Sequence, residues 1–315
     1  MLILLLIITV LAFAGCTFDE TQVSDTELRI MFQPAMYMQV SDGSGERFSK
    51  DETFGICAWE LPEGTDWENG SSRAIPYYNI SKAVSSEIIV TDTTLRNTSK
   101  ETLWIVKDRG GWVTNNRNLA FIAYSPYGAE CDCDAIDGIS YSIDMMTDQT
   151  DLLYSAPQAF RQKTLQGWLV PLYFEHALCK VQFRVKNHVD KDERITIKRI
   201  TIDDVMHRGS FCSLHSPQWI TDGEAVPLPI FNGSHVTDGL SEPIGREWLV
   251  IPQSLDTKIT VEYEYTTHAN TTIIQKQKTL ALKTLLEAGR CYTYTLTVGI
   301  DDVKFLEEIF LHRVN

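Results

Sequence analysis

The strongest constraint on the fold of this chain is an alternation of large apolar and polar side chains with a period of two residues. Residues 261–265 read Val-Glu-Tyr-Glu-Tyr, and residues 292–298 read Tyr-Thr-Tyr-Thr-Leu-Thr-Val. Such alternation turns one face of an extended strand toward a core, and its aromatic and β-branched residues favour strands. Apolar spacings of three and four are scarce, and only residues 278–288 and 303–311 are helix candidates. The sequence therefore predicts an all-β fold.

Size and composition predict two cores. The 315 residues are 43% hydrophobic and 10% aromatic, which excludes a disordered stalk, and this length suggests about two domains. We place a boundary near residues 160–170, where a polar stretch gives way to a new apolar run. The expected units are an N-terminal β-sandwich domain over residues 27–165, a C-terminal one over residues 166–302 and a tail over residues 303–315.

The charge of the chain limits its partners. The net charge is −14. Binding to nucleic acid or to anionic lipid needs clustered lysine and arginine, so neither is expected as a partner.

The N-terminus is typical of an exported protein. Residues 2–14 form an uncharged apolar run, too short for the roughly 20 residues of a membrane-spanning helix but suited to a signal peptide over residues 1–15. The run ends in small residues before Cys16, and the chain then turns polar, so residues 16–26 read as a tether. This arrangement resembles the bacterial lipobox, which implies cleavage before Cys16 and acylation of its thiol.

Two features depart from that pattern. Phe13 stands where leucine is usual, and no lysine or arginine follows Met1. The alternative is an N-terminal apolar strand or helix with an incidental cysteine.

Candidate chemistry elsewhere is weak, and we expect no catalytic, metal or cofactor site. His176 and Cys179 are close in sequence, but a spacing of three puts them on opposite faces of a strand. Cys131 and Cys133 lack the two-residue gap of common zinc sites and read as part of an acidic loop, with or without a local disulfide. Paired acids at 203–204 and 301–302 read as turn residues. The six cysteines after Cys16 permit disulfides, with no pairing assigned: Cys57, Cys131, Cys133, Cys179, Cys212 and Cys291.

Residues 169–185 are apolar on both faces of a strand. Leu172, Phe174 and Leu178 alternate on one face, and Ala177, Cys179 and the apolar residues after it alternate on the other. Such a strand is either central in a sheet or changes sheets at a bulge or bend.

The same segment carries a resemblance to a known family. Residues 172–185, Leu-Tyr-Phe-Glu-His-Ala-Leu-Cys-Lys-Val-Gln-Phe-Arg-Val, resemble the signature that opens the second domain of fimbrillin-like proteins from Gram-negative gut and oral anaerobes, except that Cys179 stands where alanine is commoner. Four further stretches match family motifs in the expected order: residues 54–59 (Phe-Gly-Ile-Cys-Ala-Trp), 118–127 (Asn-Leu-Ala-Phe-Ile-Ala-Tyr-Ser-Pro-Tyr), 248–253 (Trp-Leu-Val-Ile-Pro-Gln) and 286–296 (Leu-Glu-Ala-Gly-Arg-Cys-Tyr-Thr-Tyr-Thr-Leu).

The resemblance implies a fold and an assembly mechanism. Family members have two tandem transthyretin-like (Greek-key) β-sandwiches and build surface fimbriae. They are exported as outer-membrane lipoproteins, and many are cut after an arginine. The cut releases the first strand, and a strand from another subunit fills the groove by β-augmentation.

This chain offers residues for each of those parts. Residues 27–32 read as the first strand, with Leu28, Ile30 and Phe32 on one face. The turn-rich loop 41–47 ends in Arg47, which is the candidate cleavage site or an ordinary exposed arginine. The tail over residues 303–311 is apolar enough to be a donor strand, and otherwise packs as a helix or strand on its own domain.

The expected function is a structural or adhesive subunit of a fimbria at the cell surface, with other subunits as partners and a host or bacterial ligand as a further one. The alternative is a lipid-anchored surface protein that binds a glycan or a host protein, or an anchor or tip subunit that does not polymerise. A surface hydrolase is a third class, and no motif supports it.

Overall fold

The structure is a computed structural model that describes residues 16–17, 30–36, 48, 51–92, 97–107, 117–160, 169–187, 193–216, 218–237, 239–267 and 270–311. Within these ranges the regular structure is almost entirely strand, so the all-β prediction is confirmed. One four-residue helix, α1 (Trp67–Gly70), and one 3-10 turn (Ser71–Arg73) are the exceptions in the described residues.

The strands of the first half of the chain are β1 (Cys16–Thr17), β2 (Met31–Met36), β3 (Phe54–Leu61), β4 (Ile75–Asp92), β5 (Asn97–Val106), β6 (Asn118–Ser125), β7 (Cys131–Asp134), β8 (Gly138–Asp144), β9 (Leu153–Ser155) and β10 (Gln158–Phe160). Those of the second half are β11 (Leu169–His176), β12 (Cys179–Asn187), β13 (Glu193–Cys212), β14 (Trp219–Val236), β15 (Ile244–Val250), β16 (Gln253–Thr267), β17 (Asn270–Leu286), β18 (Arg290–Val298) and β19 (Val303–Leu311).

Both helix candidates were wrong. Most of residues 278–288 lies in β17, and residues 303–311 form β19. In β17, Leu282 and Leu286 are buried while Leu285 is 60% exposed. A spacing of four residues fits both a helix face and alternate strand positions, and the exposure of Leu285 shows that the period here is two.

The described residues fall into two compact units. The first comprises Met1–Ala35, Arg47–Phe121 and Pro157–Leu172, and the second comprises Met36–Glu46, Ile122–Ala156 and Tyr173–Asn315. The chain passes between the units five times: within β2, β6 and β11, after Glu46 and after Ala156. The domain bounds expected from the sequence stay a prediction of where each sandwich domain begins and ends.

The first unit is built around a long hairpin. Strands β4 and β5 pair antiparallel from Ala83–Val106 to Asp92–Asn97, and β3 pairs with the start of β4. The first half of β6 is buried at every position and pairs with β10. Such a continuous apolar strand is typical of the centre of a sheet.

The second unit is a β-sandwich of two sheets. Sheet I has the order β17-β16-β13-β8-β7, with β14 paired to β13, and sheet II has the order β15-β12-β18-β19. Strands β12 and β18 are parallel, and the other strand pairs described in these two sheets are antiparallel. Alternate residues of β12 and β13 are buried, which places the core between the two sheets.

Residues 169–185 change sheets at a bend. Strand β11 ends at His176, and β12 begins at Cys179 in sheet II. Ala177 and Leu178 between them are buried. The second of the two interpretations of this segment is therefore correct.

Two smaller expectations were wrong, and a third was right. Residues 131–134 form β7 rather than a loop. Asp203 and Asp204 lie inside β13 at a register shift, where Asp204 has φ of 49°, so they form a bulge rather than a turn. The pair at 301–302 does lie in the turn between β18 and β19, where Gly299 N donates to Asp302 O at 2.8 Å.

Candidate assembly site

The candidate assembly site is the position of β2 in the first unit. In the sheet order β2 lies between β11 and β5, with Met31 opposite Ile105 and Phe32 opposite Trp104. Ile30, Met31 and Phe32 are buried, whereas Gln33 is exposed. The first strand expected over residues 27–32 is thus present from Met31 onward, and residues 27–29 lie outside the described residues.

The pairing of β2 with β5 is short. In the described residues it comprises the two residue pairs at Met31 and Phe32, although β2 continues to Met36. Pro34 follows in the strand and has no backbone N–H to donate to a neighbour. Few main-chain hydrogen bonds therefore hold β2 against β5, and contacts between side chains supply the other interactions at this edge.

Phe32 makes contacts with two other aromatic rings. Its ring is fully buried, with its centroid 6.2 Å from that of Phe54 and 5.4 Å from that of Phe121, both edge-to-face. Trp104 lies beside Phe54 at 6.5 Å. We call the space lined by Phe54, Trp104 and Phe121 the β2 groove. A strand that occupies it buries apolar side chains at alternate positions.

Phe48 closes the same cluster. Its ring lies 6.3 Å from Phe54 and 6.4 Å from Trp104, and it is 7% exposed. The indole N–H of Trp104 donates to Glu52 O at 2.8 Å, which holds the chain just after Phe48 against the groove. Arg47, the predicted cleavage site, immediately precedes Phe48 and lies outside the described residues.

Sequence reasoning did not identify the residues that line the groove. Phe54, Trp104 and Phe121 come from three separate strands, and each sits in an apolar run that reads as ordinary core. The signal that existed was the family motif over 54–59 and 118–127, which contains two of the three.

Cys16, the predicted lipidation site, lies in the two-residue strand β1. Its backbone is opposite Asp92 on β4, and Thr17 is opposite Thr91. Acylation of Cys16 stays a prediction. Among the described residues, no helix has both the length and the apolar character needed to cross a bilayer.

The C-terminal strand β19 is the second element relevant to assembly. It ends the order of sheet II and pairs along its length with β18, so in this structure residues 303–311 pack as a strand on their own unit, which is the alternative to a donor strand. Val303 is buried, and Tyr294 donates a hydrogen bond to Glu307 at 2.8 Å. Burial of the phenol, followed by this carboxylate, raises the pKa of Tyr294 above its ordinary value. The exposed apolar side chains of β19 are Leu306 at 61%, Ile309 at 52% and Phe310 at 54%.

The thiols and the histidine weighed in the sequence have structural surroundings. His176 is buried, with Nδ1 2.9 Å from Asp151 Oδ1, and ends β11. Cys179 begins β12 and donates to Val250 O at 3.1 Å. Burial raises the pKa of Cys179 above its ordinary value, and burial raises that of Cys131 to about 12. A nucleophilic thiol needs a lowered pKa, so neither residue has the expected environment of a reactive cysteine. The six cysteines after Cys16 form no disulfide in the described part of the chain.

Comparison with known proteins identifies the family. A family model described as fimbrillin-like matches residues 45–309. A solved fimbrial protein of Bacteroides vulgatus is 14% identical, with a TM-score of 0.61 over 90% of this chain and 99% of its own. A candidate cell adhesion protein of Bacteroides ovatus is 15% identical, with a TM-score of 0.53 over 92% of this chain and all of its own. No curated protein matches the chain.

These results differ in what they establish. At identities this low the two solved structures show a shared β-sandwich fold and nothing finer. The family match spans most of the sequence, including the strands that form the β2 groove and both sheets of the second unit. The chain belongs to the fimbrillin-like family.

Proposed function

We propose that this chain is a structural and adhesive subunit of a cell-surface fimbria that is exported as a lipoprotein through Cys16 and assembled by strand exchange. The single observation that carries the proposal is the burial of β2. A short strand near the N-terminus fills the β2 groove, and it is followed in the sequence by residues 41–47, which are rich in turn-forming residue types and end in Arg47.

The first step is cleavage after Arg47. The cut separates β2 and the lipid on Cys16 from the body of the subunit. Strand β2 then stays in place only through its contacts. Its ladder with β5 has two residue pairs in the described residues, and Pro34 lacks an N–H, and both favour release. Release also breaks the pairing of β2 with β11.

The second step is refilling of the groove. Loss of β2 exposes Phe54, Trp104 and Phe121, and burial of a large apolar side chain is worth about 1.5–3 kcal/mol. The vacated groove also leaves main-chain donors and acceptors of β5 unpaired. Binding of another extended strand with alternate apolar side chains buries these rings again and pairs the main-chain groups of β5.

Strand β19 is the proposed donor. It lies at a sheet edge, and Leu306 and Phe310 are both more than half exposed. A spacing of four puts these two side chains on one face of the strand. To act as donor, β19 would leave its ladder with β18. Its exposed face would then insert apolar side chains into the groove of the next subunit, at the positions that Ile30 and Phe32 occupy in this subunit.

N-terminal sequencing of protein extracted from the cell surface tests the proposal. The expected chain begins at Phe48 and runs as SDS-resistant ladders on a gel. A chain that retains acylated Cys16 and forms no ladder contradicts the polymerising role. That result would instead support a lipid-anchored binding protein or an anchor subunit.

A further inference from the structure

Three metal-ligating side chains lie together at one end of sheet I. Asp137, Cys212 and His215 each offer one ligand atom, and these atoms all lie within 4.8 Å of one another. His215 Nε2 is 2.8 Å from Asp137 Oδ1. The imidazole of His215 is 44% exposed and the carboxylate of Asp137 is 36% exposed, so an ion could reach them from solvent.

The register of sheet I brings the three residues together. Asp137 lies in the turn between β7 and β8, whereas Cys212 ends β13 and His215 lies in the turn that follows it. Strands β8 and β13 pair with Ser140 opposite Cys212. The two turns therefore meet at the same end of the sheet.

Hydrogen bonds hold the two turns against each other. Leu214 N donates to Asp137 O at 3.2 Å, Ser213 N donates to Ile139 O at 2.9 Å, and Ile139 N donates to Ser213 Oγ at 2.9 Å. Gly138 has φ of +70°, and a Cβ there would meet Ser213 Oγ. Glycine at this position lets the turns approach closely.

The individual ligands are also held in place. Asp134 Oδ1 accepts hydrogen bonds from Ile136 N at 2.7 Å and Asp137 N at 2.8 Å, which shapes the turn that carries Asp137. His215 N donates to Cys212 O at 3.2 Å. Because the backbone around all three donors is already fixed, little ordering remains to oppose binding of an ion.

The donor set selects the class of ion. A thiolate, an imidazole and a carboxylate are the ligands of Zn²⁺ and similar borderline-soft ions, whereas Ca²⁺ and Mg²⁺ take oxygen ligands. Zinc bonds of about 2.0–2.3 Å put tetrahedral ligand atoms roughly 3.3–3.8 Å apart. In the structure His215 Nε2 and Asp137 Oδ1 are 2.8 Å apart and all three ligand atoms lie within 4.8 Å of one another, so each separation would have to change by about 1 Å or less.

We propose that Asp137, Cys212 and His215 bind one transition-metal ion of the Zn²⁺ class, with a water molecule as the fourth ligand. Binding displaces the thiol proton of Cys212. The ion ties the β7–β8 turn to the turn between β13 and β14 and so stabilises the second unit against unfolding. The sequence alone contains the pair Cys212-x-x-His215. The third ligand, Asp137, is identified only from the pairing of β8 with β13.

Titration of the full-length chain with Co²⁺, in detergent and a non-thiol reductant, tests the site. We expect one Co²⁺ per chain, with the charge-transfer absorption of a thiolate ligand and the visible bands of tetrahedral Co²⁺, both removed by one equivalent of Zn²⁺. Cys212→Ser should abolish the charge-transfer absorption. His215→Asn should weaken Zn²⁺ binding by at least about tenfold and abolish the rise in unfolding temperature that Zn²⁺ causes.

Cys133→Ser is the matched control. Cys133 is also part-buried, but it lies opposite Ile139 in the ladder, so its side chain is on the other face of the sheet from Ser140 and Cys212. This variant should bind Co²⁺ as the unmodified chain does.

Three results would overturn the site. They are no charge-transfer absorption in the unmodified chain, an unchanged absorption in Cys212→Ser, and loss of the absorption in Cys133→Ser. If Cys212→Ser does not fold, the half-exposed His215 decides the question: a His215→Asn chain that unfolds normally without metal yet retains full Zn²⁺ affinity excludes the proposed ligand set.

Discussion

Phe32 on β2 contacts Phe121 on β6 edge-to-face, with the ring centroids 5.4 Å apart and the ring planes inclined by 76°. Both rings are fully buried, and Phe121 also lies 6.3 Å from Phe160 on β10. The short N-terminal strand therefore supplies the side chain around which the aromatic core of the first unit is assembled. In the proposed assembly, this same strand is the one that leaves.

Truncation of Phe32 should destabilise the uncleaved chain. Phe32→Ala removes two edge-to-face contacts and leaves a cavity in the β2 groove, so we expect a loss of about 3–5 kcal/mol in the free energy of unfolding of the first unit. Urea unfolding followed by tryptophan fluorescence measures it. Gln33→Ala, at the adjacent exposed position, should change the value by less than about 0.5 kcal/mol. Equal effects at both positions would mean that β2 does not complete this core.

The fold was predictable where local pattern and packing agree. The alternation over residues 261–265 and 292–298 lies in β16 and β18, and the buried face in each is the one that the pattern indicates. The segment that contains Leu282 and Leu286 was wrongly predicted as a helix, because a spacing of four residues occurs both on a helix face and at alternate positions of a strand. The choice between a central strand and a change of sheet at Ala177 depended on non-local pairing, which one sequence does not contain.

The candidate sites were predictable only in part, for a related reason. The N-terminal strand and Arg47 could be proposed because each is a local feature. The β2 groove and the cluster of Asp137 with Cys212 and His215 could not, since their members lie on strands far apart in the chain. The β8–β13 register alone brings Asp137 to Cys212.

The junction between β11 and β12 should depend on one tryptophan hydrogen bond. The buried indole N–H of Trp219 donates to Ala177 O at 2.6 Å. Trp219→Phe leaves that carbonyl without its donor, so we expect a loss of about 1–3 kcal/mol in the free energy of unfolding, from the hydrogen bond alone.

Trp248→Phe is the comparison for that prediction. Trp248 is 4% exposed in the same unit, but its Nε1 has no hydrogen-bond partner in the part of the chain that the structure describes. This substitution removes a similar volume and no hydrogen bond, so it should cost less than Trp219→Phe in the same urea titration. The reverse order would show that ring packing, rather than the bond to Ala177, decides the stability of the junction.

The second unit should lose stability in acid through Asp144. A hydrogen bond from His207, at 2.9 Å, is the main factor that holds the pKa of Asp144 below its ordinary value, with further bonds from Met146 N and Arg208. A lowered pKa in the folded state stabilises the fold above the unfolded value of about 3.9, and this contribution is lost as the pH falls through the folded pKa.

Asp144→Asn should therefore reduce stability at pH 6 and make less difference at pH 3. Urea midpoints at the two pH values measure the effect. Glu224→Gln, at an exposed position of β14, is the control and should leave the pH dependence as it is. A constant difference between Asp144→Asn and the unmodified chain at both pH values would contradict the proposed role of the ionised carboxylate.

Substitutions of two phenylalanines in β19 should distinguish the stability of the subunit from its ability to assemble. Phe305 is part-buried with its ring 6.0 Å from Tyr294, whereas Phe310 is 54% exposed. Phe305→Ala should lower the free energy of unfolding of the isolated chain by roughly 1–2 kcal/mol. Phe310→Ala should leave that stability within about 0.5 kcal/mol and yet reduce the SDS-resistant ladders. Undiminished ladders in Phe310→Ala would exclude this side chain from the donor strand.

In the proposed assembly, cleavage after Arg47 determines whether the lipid on Cys16 is removed from the subunit or anchors it permanently. A trypsin-like protease requires a basic side chain at the bond it cuts, and the sequence over residues 41–47 is of the turn-rich kind in which such cuts concentrate. Arg47→Ala should therefore yield surface protein that keeps its lipid and β2 and forms no ladder. Arg73→Ala, which removes an exposed arginine from the 3-10 turn, should be processed normally. Ladders from the Arg47→Ala chain would mean that subunits join while β2 still fills its groove, and strand exchange at that groove would then be excluded as the basis of assembly.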